Sequence, residues 1–217
     1  MKTLIIGIGG VTNGGKTTLA TRLKQKLPNC MVVSQDDYFK PDSEIEIDEY
    51  GVKQYDVIDA VDMEAMMAHV CAWISNPKEH LNSKCDHLET NSENWKEVYI
   101  LIVEGFLLYN YRPLDDVIHK RYYLCIPYDV CKSRRSSRSY NPPDPPGYFE
   151  RYVWPLYMKN KLEMEQHSQG LVYIDGTKSK DEIFFMVIDD ILGEIKKCLG
   201  WKNCIHDTSV SGPTLIN

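Results

Sequence analysis

The sequence predicts an α/β fold: a doubly wound, five-stranded parallel sheet flanked by helices. Three observations carry that prediction. Five short apolar runs recur along the chain, at 4–8, 31–34, 98–103, 122–126 and 171–174. Stretches with helical periodicity separate them. The first run ends in glycine-rich sequence that leads straight into a helical stretch. Apolar strands alternating with helices are the pattern of a parallel sheet covered on both faces.

The first run, residues 4–8, reads as a buried strand. Residues 17–27 read as a helix, because Leu19, Leu23 and Leu27 recur every four positions with Arg22, Lys24 and Lys26 between them. Pro28-Asn29 stops it. Residues 31–34 form a second strand that runs into Gln35-Asp36-Asp37. Residues 40–56 are charged with few core signals and read as a loop, and 63–74 as an apolar helix. The stretch 75–97 is polar and aperiodic and reads as an exposed insertion. Residues 98–103 are six consecutive apolar or aromatic residues, the clearest strand of all, ending at Glu104-Gly105.

Residues 122–126 form the next strand, and 130–139 an arginine-rich helix. Residues 141–147 contain four prolines and exclude regular structure. A helix over 152–167, a strand over 171–174 and an amphipathic helix over 181–199 close the domain. Residues 200–217 read as a loosely held tail. One domain over 1–199 is expected, with a small helical lid at about 131–152.

With 217 residues, 43% hydrophobic, the chain can bury a real core. A formal net charge of -6 argues against a nucleic-acid-binding face. No run approaches a membrane span. The seven cysteines show no C-x-x-C spacing, and the stretch Met1-Lys2-Thr3-Leu4-Ile5-Ile6-Gly7 lacks the long apolar core and cleavage site of a signal peptide. Reduced cysteines in a cytoplasmic protein are the expected state. None of the six histidines makes a metal-ligand spacing. A monomer acting on small molecules is expected, without nucleic-acid, membrane or protein partners.

In open parallel sheets ligands sit at the carboxyl ends of the strands. After the first strand, Gly10-Val11-Thr12-Asn13-Gly14-Gly15-Lys16-Thr17 matches G-x-x-x-x-G-K-[ST] in full. Glycines let such a loop curl its N–H groups around phosphates, and the following helix adds its positive end. Lys16 is expected on the β- and γ-phosphates and the Thr17 hydroxyl on Mg²⁺. Asp36 follows the second strand, where a carboxylate can take a hydroxyl proton or hold Mg²⁺. If the strand continues, Asp36 and Asp37 face opposite ways. Glu104 ends the third strand, where such proteins place a metal-supporting acid. Lys132, Arg134, Arg135 and Arg138 share one helix and read as a lid that closes over phosphate. Tyr38, Tyr55 and Tyr140 can stack on a flat ring, and Asp56 can meet sugar hydroxyls. The rival class is a regulatory GTPase. It needs N-K-x-D, but the chain offers Asn160-Lys161-Leu162-Glu163, inside a predicted helix.

These residues, taken in order, resemble the nicotinamide riboside kinases. The matching segments include Gln35-Asp36-Asp37-Tyr38-Phe39-Lys40-Pro41, Gln54-Tyr55-Asp56-Val57, Glu104-Gly105-Phe106, Cys131-Lys132-Ser133-Arg134-Arg135-Ser136-Ser137-Arg138, Pro142-Pro143-Asp144, Val153-Trp154-Pro155 and Asp175-Gly176-Thr177-Lys178. The likeness runs from residue 1 to about 198. It implies ATP- and Mg²⁺-dependent phosphorylation of the 5′-hydroxyl of nicotinamide riboside, with nicotinic acid riboside as a second substrate. It implies that the loop through Thr18, with Arg134, Arg138, Thr177 and Lys178, binds ATP. Asp36 would be the general base and, with Thr17 and Glu104, serve the metal. Asp37, Tyr38 and Phe39 would belong to the nucleoside site. Asp56 and Arg135 would hold the ribose, and Tyr55 and Tyr140 would sandwich the ring. Glu150-Arg151-Tyr152 departs from the Asp-Gly-His expected before Val-Trp-Pro. A uridine–cytidine kinase is the nearest alternative enzyme.

Overall fold

The computed structural model describes residues 1–80, 97–140 and 143–200. Most of the polar stretch 75–97, the tail beyond Gly200, and Asn141 and Pro142 of the proline run lie outside the described residues. So do Cys85, Cys204, His87 and His206.

Five strands form one parallel sheet: β1 (Lys2–Gly10), β2 (Cys30–Ser34), β3 (Val98–Glu104), β4 (Lys120–Cys125) and β5 (Leu171–Asp175). Their order is β2-β3-β1-β4-β5, so β1 lies at the centre, where the winding reverses. The flanking helices are α1 (Lys16–Lys26), α2 (Met63–Ser75), α3 (Arg112–Asp115), α4 (Tyr128–Ser136), α5 (Trp154–Glu165) and α6 (Lys180–Leu199).

Alternation along the strands assigns the helices to faces. Leu4, Ile6 and Ile8 of β1 and Val98, Ile100 and Ile102 of β3 turn toward α1 and α6. There they meet Leu19, Leu23, Val187 and Ile191. Ile5, Leu101 and Val103 turn the other way, onto Met66, Val70 and Trp73 of α2. Both faces are buried, which is why these strands read as continuous apolar runs rather than as alternating ones. A smaller third cluster lies beyond the carboxyl ends of β1 and β4, where Val11, Ile126 and Cys131 pack against Tyr148, Phe149 and Val153.

The fold also buries charge beneath β4. Asp115 accepts from Arg121 Nε at 2.6 Å and from the Ser168 hydroxyl at 2.9 Å, so the carboxylate stays paired.

Two local readings need correction. The second strand stops at Ser34, and Gln35–Tyr38 is a 3₁₀ turn, so alternation does not govern Asp36 and Asp37. The helix read over 152–167 begins earlier and differently, with one π-helical turn at Phe149–Val153 ahead of α5. The departure at Glu150-Arg151-Tyr152 sits in this turn and makes its own anchors. Glu150 pairs with Lys132 at 2.6 Å, and the Tyr152 hydroxyl donates to Asp48 at 2.6 Å.

Candidate active site

A cavity of about 1050 Å³ opens at the carboxyl end of the sheet. Its floor is the turn from β1 to α1, and its construction begins with glycine. Gly10 has φ +132°, and a Cβ there would lie 2.3 Å from the Leu124 carbonyl oxygen of β4. Only glycine lets the loop leave β1 this close to its neighbour. The loop then bends through Asn13, at φ 58°, and Gly15, at φ 100°, where α1 begins. The Lys16 ammonium lies on the Val11 carbonyl at 3.0 Å. Burial lowers its pKa, with Glu104 and Asp36 opposing that shift.

Parallel register supplies the next contact. Glu104 at the end of β3 lies opposite Ser34 of β2 and Ile8 of β1. Its Oε1 accepts from the Thr17 hydroxyl at 3.0 Å and from the Ser34 hydroxyl at 2.7 Å. Glu104 is only 2% exposed, so a carboxylate at this depth depends on such donors. Beside it, the fully buried Gln35 rivets β2 to the loop after β3. Its Oε1 accepts the Phe106 and Leu107 N–H groups, each at 2.9 Å.

The far wall belongs to loops. Asp36, Phe39, Tyr55, Asp56 and Phe106 line it. The Phe39 and Phe106 rings stack at 5.9 Å, and Phe39 meets Tyr55 edge-on at 6.3 Å. The Tyr55 hydroxyl donates to Asp42, which also takes the Lys53 ammonium. The bond to Asp42 pushes the Tyr55 phenol up to about 12. Burial raises the pKa of Asp56, and Arg135 opposes the rise. The Tyr148 hydroxyl donates to Asp56 at 3.3 Å.

Helix α4 and the segment after it close the cavity from above; α4 ends at Ser136, so Arg138 lies beyond it and the four basic residues do not share one helix. Arg134 donates to the carbonyls of Asn13, at 3.3 Å, and Gly176, at 3.0 Å. Arg138 donates to Asn13 Oδ1 at 3.0 Å, and the Tyr140 hydroxyl reaches the same oxygen at 3.2 Å. Arg135 is gripped by Asp144 through two bonds of 2.6 and 2.9 Å, with its guanidinium 4.4 Å above the Tyr140 ring. Such a fork fixes orientation as well as charge.

The structure therefore brings together Thr12, Asn13, Gly14, Gly15, Lys16, Thr17, Thr18, Asp36, Phe39, Tyr55, Asp56, Arg134, Arg135, Arg138, Tyr140 and Lys178 around one space. Gly10, Val11 and Glu104 lie beneath it. Asp37, Tyr38 and Thr177 do not line it. The 3₁₀ turn sends the Tyr38 hydroxyl to His69, and Thr177 closes a turn on Asp175 through its N–H and hydroxyl. Sequence reasoning missed Ser34, Gln35, Asp42, Lys53, Phe106, Asp144 and Tyr148. Only Ser34 and Gln35 carried a signal, as the strand end beside an acidic pair.

A family model described as an AAA domain matches residues 6–155. Nicotinamide riboside kinase 1 of Rattus norvegicus is 52% identical over 197 residues, covering 91% of this chain and 98% of the relative. Nicotinamide riboside kinase 2 of Homo sapiens is 50% identical over 188 residues, covering 87% and 80%. The solved structure of a possible uridine kinase from Bacillus stearothermophilus superposes with a TM-score of 0.52 at 15% identity, covering 81% of this chain and 90% of that one. That last likeness speaks for the fold alone. Identity of this extent across nearly the whole length shows that the chain belongs to the nicotinamide riboside kinase family.

Proposed function

We propose that the chain transfers the γ-phosphoryl group of ATP to the 5′-hydroxyl of nicotinamide riboside. The product is nicotinamide mononucleotide, a step toward NAD. One observation carries the reading: a single cavity runs from the phosphate loop past Asp36 to the aromatic wall at Tyr55. Its volume lies at the upper end of what one small ligand needs, which suits a donor and an acceptor side by side.

The chemistry follows from what faces that space. A primary hydroxyl must lose its proton as the phosphoryl group arrives, and Asp36 is the carboxylate between loop and wall to accept it. Lys16, Arg134 and Arg138 meet the charge carried by the transferring oxygens. Asp56 and Arg135 hold the ribose hydroxyls. The rings of Tyr55 and Tyr140 flank the pyridine, whose positive charge favours aromatic faces. Lys178 approaches the adenine end. Residues 131–152 act as the lid, and residues 1–199 form one kinase domain.

The oxygen donors around Thr17 and Glu104, with Asp36 nearby, suit a hard cation that prefers oxygen. Mg²⁺ held there would neutralise phosphate charge when bound. Nicotinic acid riboside fits the same wall as a second acceptor. The protein is read as a cytoplasmic monomer, and no helix among the described residues is long and apolar enough to cross a membrane.

A panel of nucleosides with ATP and Mg²⁺, scored by product mass, tests the reading. Nicotinamide riboside is expected to turn over fastest. Faster turnover of uridine would replace the reading with a uridine–cytidine kinase.

A further inference from the structure

The outer end of the Tyr55 platform carries a feature that phosphoryl transfer does not require. Asp42 accepts from the Tyr55 hydroxyl and the Lys53 ammonium, and the same ammonium donates to the Asp42 backbone carbonyl at 2.6 Å. Asp42 lines the cavity, whereas Lys53 stands behind it. The loop is built to hold this pair. Ile47 bridges Lys53 across an antiparallel turn, and Asp48 at its tip accepts the N–H groups of Tyr50 and Val52 and the Tyr152 hydroxyl. The ion pair is thus fixed against the ring that would carry the pyridine.

We propose that Asp42 and Lys53 set the preference between a cationic and a zwitterionic pyridine nucleoside. The inference rests on the nicotinamide riboside kinase reading. Nicotinamide riboside carries one positive charge on its ring. Nicotinic acid riboside carries the same charge and a carboxylate. A ring stacked on Tyr55 lies one ring thickness from a phenol whose oxygen touches Asp42, so its substituent feels both charges. Asp42 attracts the cation and repels the added carboxylate, and Lys53 does the reverse. As a pair they nearly cancel, leaving a site that tolerates both substrates. Asp42 is 64% exposed at its side chain, so the effect is modest and salt-sensitive.

The test is the ratio of kcat/KM for nicotinamide riboside to that for nicotinic acid riboside, measured on the full chain with saturating ATP. Asp42→Asn keeps an acceptor for the Tyr55 hydroxyl but removes the charge, and the ratio should fall about two- to fourfold. Lys53→Met should raise it by a similar factor, and the double variant should return it near the starting value. Both shifts should shrink in high salt. Tyr55→Phe cuts the hydroxyl contact while keeping both charges, and should leave the ratio largely unchanged. Equal losses on both substrates, shifts of the same sign in Asp42→Asn and Lys53→Met, or a Tyr55→Phe shift matching Asp42→Asn would each overturn the proposal. Absence of nicotinamide riboside turnover in the unmutated protein would overturn the kinase reading itself. Normal turnover with an unmoved ratio would overturn this inference alone.

Discussion

The two ends of the cavity are made of different material. At the donor end the surface is backbone, a loop of consecutive residues bent between β1 and α1 and pressed against β4. At the acceptor end it is side chain, gathered from Asp36, Phe39, Asp42, Tyr55, Asp56, Phe106, Arg135, Tyr140 and Tyr148. Backbone N–H groups recognise phosphate whatever nucleoside bears it, so the loop, together with Lys16, Arg134 and Arg138, can hold a triphosphate without reading the nucleoside. The acceptor end recognises a particular ring and sugar, so it must place individual rings and charges. Substitution can therefore retune the acceptor end while the donor end stays fixed.

The largest expected effect lies between the two ends. Asp36→Asn removes the proton acceptor and should lower kcat by about 10²–10⁴-fold. ATP binding, followed by calorimetry, should largely survive, and near-normal turnover would remove Asp36 as base. Gly10→Ala attacks the donor end. The left-handed backbone alone costs about 1–3 kcal/mol, and the new methyl also meets the Leu124 carbonyl. Thermal unfolding should shift down and ATP affinity should fall with it; an unchanged Tm would show that the loop can relax away from β4.

Tyr55→Ala attacks the acceptor end. It should raise the KM for nicotinamide riboside about tenfold through lost stacking, and that for ATP far less. Equal effects on the two KM values would erase the distinction between the ends. The smallest effect lies outside the cavity. His119 Nδ1 accepts the Ile5 N–H at 2.9 Å, which only an unprotonated nitrogen can do. Burial, with help from Arg121, lowers its pKa in the folded protein. The stability it contributes is therefore complete above the unfolded value of 6.5 and is lost as pH falls through the lower folded value. In His119→Gln that pH-dependent component of Tm should disappear. An identical pH profile in the two proteins would sink the assignment.

Legibility followed the same division. The donor end is contiguous, so its motif and flanking elements could be read directly. All five strands were also evident, and β3 most plainly, because burial on both of its faces leaves no polar residue to interrupt it before Glu104. Glu104 was found because a charge directly after six apolar residues marks a strand end. Its partner Ser34 was not, because their contact depends on the register between β2 and β3, which one sequence does not encode locally. The alternation argument for Asp36 and Asp37 failed for a related reason. It assumed an extended chain, but Gln35 is drawn inward by two N–H groups from the β3 side and curls the chain into a 3₁₀ turn. Asp42 and Lys53 read as loop charges, since nothing nearby says that an eleven-residue excursion brings them together.

Asn13 belongs to both ends. Its backbone forms part of the phosphate loop, while its side-chain oxygen holds Arg138 and Tyr140. If donor occupancy changes acceptor affinity through that grip, reciprocity obliges acceptor occupancy to change donor affinity by the same amount and sign. The coupling would therefore appear twice in equilibrium binding, once from each ligand. Deleting the Asn13 carboxamide should weaken both appearances together, so a thermodynamic cycle closed on this residue measures how strongly the two ligands sense one another.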